Sequence, residues 1–485
     1  MNAHLRRTFY LFVAGFVGLV VMLVYWQVYS REALANNPEN GFQTQRSVSS
    51  PRGLILAGDG ETVLAKSVKR GTPRGPVYDR VYPLGEPFAS VVGYWSTRYG
   101  ATGIEIGNNS DLSSVAGEPE TLDDLINRAT GGPQPGNNVV LTLDPELQEL
   151  AYQELSASST GRGAVVALNP KTGEILAMAT SPSFDPNEVD ENYPDLASAQ
   201  GAPLVDRATQ SLYPPGSVFK VITAAAALDA GVSPQQNFFD SGTYELPGYT
   251  VHNFQGKDYG EVTFTRALAY SINVVFAKIA VDIVGAEALT QMAVNFGFGD
   301  PYDDFPLPVS GSSVNSLPPE QWTTGTTAQL SFGQDRASSN VFEMGLATAA
   351  VANGGEMMEP RIVREVRSPD GVILDSPSAG VRNRTLDVAA AGTLNSMMQG
   401  VITTGGLSQA EVPGVKVAAK TGTAEDPPRE PHSWFVAFAP ADDPEIAVAV
   451  MVENGGEIGP QGAADTPAIP IAQDLMEAYL EGRRR

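Results

Sequence analysis

The stretch YPPGSVFKVITAAAALDAG, residues 213–231, decides how this chain is read. Pro214-Pro215-Gly216 forms a turn, and a long apolar run follows at once. That order places Ser217 at a helix N-terminus, and Gly231 closes the helix. Lys220 stands three positions after Ser217, and side chains at that spacing share a helix face. The helix dipole favours negative charge developing at Ser217. A lysine buried beneath an apolar helix loses its proton easily and becomes a base. The chain has eight lysines, and only Lys220 has a serine three positions before it. Taken alone, the same residues also fit a helix cap followed by a surface lysine.

Composition explains why a lysine base matters. The chain has 485 residues, no cysteine and three histidines, His4, His252 and His432. Thiol catalysis, disulfides and cysteine-held metals are excluded. A zinc site built on histidines is disfavoured, and so is a serine enzyme relying on a histidine base. The formal net charge of −24 argues against nucleic acid, whose phosphates need a basic partner. The same charge keeps an exported protein soluble.

Two further motifs lie downstream. Ser271-Ile272-Asn273 interrupts the apolar helical pattern Phe264–Val284. Polar groups in such a run need polar partners, or else they form a surface stripe. Lys420-Thr421-Gly422-Thr423 follows the strand pattern Val415–Ala419. Glycine in a strand lets another backbone approach, and an edge strand offers N–H groups to an extended peptide. Lys420, Thr421 and Thr423 suit a carboxylate, although a strand end entering a polar turn has the same composition. Lys171-Thr172-Gly173 repeats the triplet, but after Asn169-Pro170 it is a turn. In chain order, Ser-x-x-Lys, Ser-x-Asn and Lys-Thr-Gly form the signature of serine enzymes that react with penicillin.

The amino terminus predicts a membrane anchor. Phe9–Trp26 holds 18 uncharged residues, aromatic at both ends. Arg6 and Arg7 precede it, which places the amino terminus in the cytoplasm and the rest outside. Ala33-Leu34-Ala35 also resembles a signal cleavage site, but the apolar run exceeds a signal core of about 7–15 residues. The chain divides into a tail at 1–8, an anchor at 9–28, a small β-rich pedestal at 36–135 and a catalytic domain at 138–485. The pedestal includes strand patterns at Gly53–Leu56 and Ser90–Tyr94, and Gly131–Gly136 reads as a linker. In the catalytic domain, Val139–Thr142 is a strand and Asp144 caps a helix. Gly163–Leu168 and Glu174–Thr180 form a hairpin. Helices dominate from 217 to 403, including Ser217–Asp229, Ala286–Phe296, Val341–Ala352 and Val388–Ile402. Strands return at Ser433–Phe438 and Glu445–Val452, before a closing helix at 468–480. Strands at both ends with helices between predict an α+β fold, a mainly antiparallel sheet flanked by helices. Asp303-Asp304 and Asp442-Asp443 read as solvated turns, and His432 as structural.

With its motifs in order, the chain resembles the class B penicillin-binding proteins, the monofunctional D,D-transpeptidases. The likeness extends through RGLILAGDGETVLA, YPLGEPFASVVGYWS, the GIE of ATGIEIGNNSDL, NNVVLTLDPELQ, GAVVALNPKTGEILAMATSPSFDPN and HSWFVAFAP. The short pedestal is most similar to actinobacterial penicillin-binding protein A. The resemblance implies a five-stranded transpeptidase sheet and an acyl-Ser217 intermediate in peptidoglycan cross-linking. It implies that Lys220 takes the serine proton and Ser271 relays a proton to the leaving D-alanine. Asn273 would orient Lys220 and bind substrate, and Lys420, Thr421, Gly422 and Thr423 would hold the terminal carboxylate. The partners implied are stem peptides of lipid-linked nascent glycan, β-lactams as covalent inhibitors, and a polytopic glycan polymerase of the shape, elongation, division and sporulation group. No metal or organic cofactor is implied. Too little chain lies between anchor and catalytic region for a glycosyltransferase domain. A D,D-carboxypeptidase, a β-lactam hydrolase or sensor, and a non-enzymatic division scaffold are the alternatives.

Overall fold

The computed structural model describes residues 3–26, 50–72, 75–113, 135–314, 321–335, 337–426, 428–456 and 466–484. Ala33-Leu34-Ala35, the first part of the expected pedestal range at 36–49 and most of the 131–136 linker lie outside these residues. A helix spans Ala3–Val24. Its window Arg6–Leu23 has mean hydropathy 1.6 and no burial, so it is long and apolar enough to cross a bilayer.

The pedestal is built on a six-stranded sheet. Its order is Ile373–Asp375, Val363–Arg367, Asn138–Leu141, Ile55–Leu56, Val63–Thr72 and Gly75–Val81. The first three strands come from the range expected to be catalytic, so the sheet crosses the expected boundary at 135–138. Asn138–Leu141 runs parallel to Ile55–Leu56 and antiparallel to Val363–Arg367, which makes it the seam. Beneath the sheet, Glu105 is fully buried between Arg52 (2.9 Å) and Arg80 (2.6 Å). Burial alone would raise the Glu105 carboxyl, but Arg80 and Arg52 outweigh it and hold it below the ordinary range.

Ser90–Tyr94 is not a strand. A 3₁₀ turn at Glu86–Phe88 leads into the helix Ala89–Val92, and Gly93 ends it at φ 75°. Pro87 starts the turn, and burial of Val91 and Val92 overrides their β preference. A Cβ on Gly93 would lie 2.0 Å from the Thr102 carbonyl oxygen, so this close crossing requires glycine.

The catalytic sheet has five strands in the order Ala418–Asp426, Arg429–Ala439, Ile446–Val452, Gly163–Leu168 and Ile175–Ser181. Every neighbouring pair is antiparallel. Val166, Leu168, Val436, Phe438 and Ala449 face the core that holds Val341–Ala352 and the helix after Ser217. Val165, Ala167, Phe435, Val448 and Val450 face the helices Pro145–Ala157 and Ala468–Arg484. With helices on both faces, the central strand Ile446–Val452 and its neighbour Gly163–Leu168 are apolar and buried throughout, and Arg429–Ala439 becomes so from Trp434 onward. Asp144 caps the first of these helices by accepting from the N–H groups of Glu146 and Leu147. Val341–Ala352 is buried on all sides, as its lack of a polar face requires.

Two expectations need correction around the motifs. The helix expected over Phe264–Val284 breaks into Phe264–Ala269, Asn273–Lys278 and a π-helical turn at Ile279–Val284. Ser271, at φ 56°, makes the first break. The strand expected to stop at Ala419 instead runs Ala418–Asp426 and carries Lys420–Thr423 inside it. Pairing with Arg429–Ala439 extends it, with Lys420 opposite Val436 and Gly422 opposite Trp434. The helical range also contains small sheets, formed by 237–240 with 260–263, 243–246 with 249–252, and 356–358 with 381–384.

Candidate active site

Ser217 lies in a 3₁₀ turn, Gly216–Phe219, and the α-helix Lys220–Asp229 continues from it. In a 3₁₀ turn, side chains three apart eclipse, so Lys220 sits directly under Ser217. Lys220 Nζ is 3.0 Å from Ser217 Oγ. Gly216, at φ 56°, donates its N–H to the Gly333 carbonyl oxygen at 2.9 Å. A Cβ there would lie 2.6 Å from the Thr423 carbonyl oxygen, so the turn abuts the edge strand.

Lys220 is fully buried, and its amine meets three more oxygens. These are Ser271 O at 2.7 Å, Ser271 Oγ at 3.1 Å and Asn273 Oδ1 at 2.6 Å. Asn273 Nδ2 donates to the His252 carbonyl oxygen at 3.1 Å, which fixes the amide with its oxygen toward the lysine. Burial, with the nearby charge of Lys420 second, pushes the Lys220 amine well below the ordinary lysine range. That shifts the balance toward the neutral amine relative to a solvated lysine.

Lys420 reaches the same centre from the edge strand. It is fully buried, and its Nζ donates to Ser271 Oγ at 2.9 Å and to the Thr421 carbonyl oxygen at 2.8 Å. Burial brings it down to about 7. A Cβ on Gly422 would lie 2.9 Å from both Trp434 Cβ and Val218 Cγ1, so only glycine lets the strand approach the serine helix this closely. Strand alternation places Thr421 and Thr423 on the opposite face from Lys420. Thr421 is half-buried and Thr423 exposed. Among the described residues neither threonine hydroxyl has a hydrogen-bond partner.

The structure therefore joins Ser217, Lys220, Ser271, Asn273 and Lys420 in one hydrogen-bonded chain. Thr421, Gly422 and Thr423 line the adjoining strand, and the two threonine hydroxyls stay outside that chain. The decoy Lys171 sits in the hairpin turn and pairs with exposed Asp443 at 2.5 Å. Lys416 pairs with Asp442 in the same exposed surroundings. His432 Nδ1 accepts from the Asn454 N–H at 3.1 Å. Sequence reasoning missed the cluster of Tyr213, which precedes the serine turn, with Glu453 and Arg207, bonded to it in series. No local signal marks them, because Glu453 lies 240 positions after Tyr213.

Comparison with known proteins was consistent along the chain. Residues 163–477 match the penicillin binding protein transpeptidase domain family. Residues 52–139 match the penicillin binding protein A dimerisation domain family. The chain is 35% identical to the peptidoglycan D,D-transpeptidase PbpA of Mycobacterium tuberculosis, over 99% of this chain and 100% of that protein. It is 30% identical to the peptidoglycan D,D-transpeptidase MrdA of Acinetobacter baumannii, over 84% of this chain and 66% of that protein. Among solved structures, it resembles the imipenem acyl-enzyme complex of penicillin-binding protein A from M. tuberculosis. That likeness has a TM-score of 0.81 at 34% identity, covering 90% of this chain and 100% of the other.

Proposed function

The chain belongs to the class B penicillin-binding protein transpeptidases, and on that premise we propose that it cross-links peptidoglycan stem peptides through an acyl-Ser217 intermediate. The observation that carries this reading is the unbroken contact series from Ser217 Oγ through Lys220 Nζ and Ser271 Oγ to Lys420 Nζ.

The neutral Lys220 amine has two hydrogens and one lone pair. Ser271 O and Asn273 Oδ1, both obligate acceptors, take the hydrogens. The lone pair is left for the Ser217 hydroxyl proton. Ser217 Oγ attacks the penultimate D-alanine carbonyl of the donor peptide as Lys220 takes that proton. The new bond is Oγ–C, and the bond that breaks is the amide to the terminal D-alanine. Lys220 returns the proton to the leaving amine through the Ser271 hydroxyl. The N–H groups of Ser217 and Thr423 stabilise the oxyanion, each by about 10²–10³-fold on the usual scale of such donors. Lys420 supplies positive potential, and the hydroxyls of Thr421 and Thr423 bind the terminal carboxylate. An amine of a neighbouring stem peptide then attacks the acyl carbon and releases Ser217. β-Lactams acylate the same oxygen.

The finer assignments rest on sequence. The Ala3–Val24 helix anchors the protein, and Arg6 and Arg7 support a cytoplasmic amino terminus. The bounds 36–135 for the pedestal and 138–485 for the catalytic unit are read from the sequence; family matches over 52–139 and 163–477 support a division into two such units, with 363–375 lent back to the pedestal sheet. The short interval between anchor and catalytic unit supports a monofunctional enzyme without glycan polymerisation. Its glycan would then come from a separate polytopic polymerase contacting anchor and pedestal.

The test is mass spectrometry of the purified full-length protein after exposure to labelled penicillin. The expected result is a persistent adduct on Ser217. No adduct, an adduct elsewhere, or release within seconds would each overturn the transpeptidase reading.

A further inference from the structure

We propose that Glu453 is a positioning residue for acylation, acting through Tyr213 to fix the turn that presents Ser217. This rests on the transpeptidase reading and adds a residue outside its three motifs.

Glu453 directly follows the central strand Ile446–Val452. Its Oε1 accepts from Tyr213 Oη at 2.5 Å and from Arg207 Nε at 2.9 Å. Its Oε2 accepts from Arg162 Nε at 2.9 Å. The Arg207 guanidinium also donates to the carbonyl oxygens of Gly201 and Ala202, so it is itself held in place. Burial alone would raise the Glu453 carboxyl. The Tyr213 hydroxyl and the Arg207 charge outweigh it and keep it ionised. The carboxylate is thus a fixed anchor at the end of the buried central strand of the catalytic sheet.

Tyr213 transmits that anchor to the nucleophile. Its N–H and carbonyl both pair with Ser339, at 2.9 Å each. Its ring meets His432 edge-on at 5.2 Å and Trp434 at 6.4 Å. Trp434 Nε1 in turn donates to the Pro214 carbonyl oxygen at 3.1 Å. The start of the Pro214–Gly216 turn is therefore held at the phenol and at the indole. Gly216 presses against Thr423 O at the far end of the same turn. A shift of the turn alters the gap between the N–H groups of Ser217 and Thr423, where the oxyanion must fit. A displacement of about 1 Å at a reacting centre costs roughly 10²-fold in rate.

The test compares Tyr213→Phe, Glu453→Gln and the double variant with wild type, as full-length proteins in detergent. Acylation by a fluorescent penicillin is resolved into noncovalent affinity and first-order rate constant, scored per folded molecule. Thermal melting gives the folded fraction. Tyr213→Phe keeps the ring packing and removes only the hydroxyl. Each single variant should lower the rate constant about 10- to 100-fold, with noncovalent affinity within about threefold of wild type. The double variant should fall no further than the slower single one, because both residues act as one unit. Unchanged rate constants per folded molecule, losses confined to affinity, or multiplying losses would overturn the proposal. Wild type that fails to label Ser217 would instead sink the transpeptidase reading, so the two failures are separable.

Discussion

Lys220 and Lys420 converge on one oxygen atom. Ser271 Oγ lies 3.1 Å from the first amine and 2.9 Å from the second. Two fully buried lysines cannot both be charged at that separation without large cost, so the arrangement holds at least one as a neutral amine. Lys220 is pushed well below the ordinary lysine range, by burial first and by the charge of Lys420 second. The base proposed for acylation is thus a lysine whose proton affinity the fold lowers, not an imidazole.

Replacing Lys220 tests the base directly. Lys220→Gln keeps polarity but has no basic lone pair. The acylation rate constant for a penicillin should fall by about 10²–10⁴-fold, the usual scale of a general base. Stopped-flow labelling measures it. A loss under tenfold would assign the proton transfer elsewhere.

Ser271 sits in the left-handed region at φ 56°, where a non-glycine residue costs roughly 1–2 kcal/mol. Glycine adopts that conformation without the penalty. Ser271→Gly should therefore be more stable than Ser271→Ala by about 1 kcal/mol, measured by denaturant unfolding. Both should lose proton relay and acylate about 10²–10⁴-fold more slowly. Equal stabilities would mean that the backbone relaxes.

Lys420 gives a pH signature. It titrates near 7 when folded and at 10.5 as a free side chain. Between those values the unfolded chain binds more protons, so this group makes stability rise with pH from about 7 to 10.5. Below 7 both states hold the proton and the slope vanishes. Lys420→Met should flatten that rise and stabilise the protein near neutrality by roughly 1–4 kcal/mol, the scale for replacing buried charge with apolar volume. It should also weaken β-lactam capture, whose carboxylate loses its cation. Melting curves across pH check the first point and acylation kinetics the second.

Glu105 should carry much of the pedestal's stability. Its folded carboxyl is held low, so its contribution is present above the ordinary carboxyl range and lost as pH falls through the depressed value. Glu105→Gln leaves Arg52 and Arg80 buried with their countercharge removed. A loss of about 3–5 kcal/mol is expected for breaking a buried pair from one side. The acylation rate per folded molecule should stay unchanged, because Glu105 lies in the pedestal. A slowed rate would show that the pedestal sets active-site geometry.

The sequence by itself named the motif residues that the fold brings together, and the broad fold. Ser217 with Lys220, Ser271 with Asn273, and Lys420 to Thr423 each form a short pattern, and local spacing on one element is visible in a linear chain. The catalytic strands were legible for the same reason, as apolar runs bounded by turns. What only tertiary structure decided were relations between distant segments. The pairing of Asn138–Leu141 with Val363–Arg367 across the expected boundary, and the Tyr213–Glu453 contact, join residues far apart in the chain. The left-handed backbone at Ser271 broke the run 264–284, and burial also reversed local preference by turning Ala89–Val92 into helix. It set the charge of two lysines as well, because a pKa depends on the surrounding dielectric and neighbouring charges, and neither exists until the chain has packed.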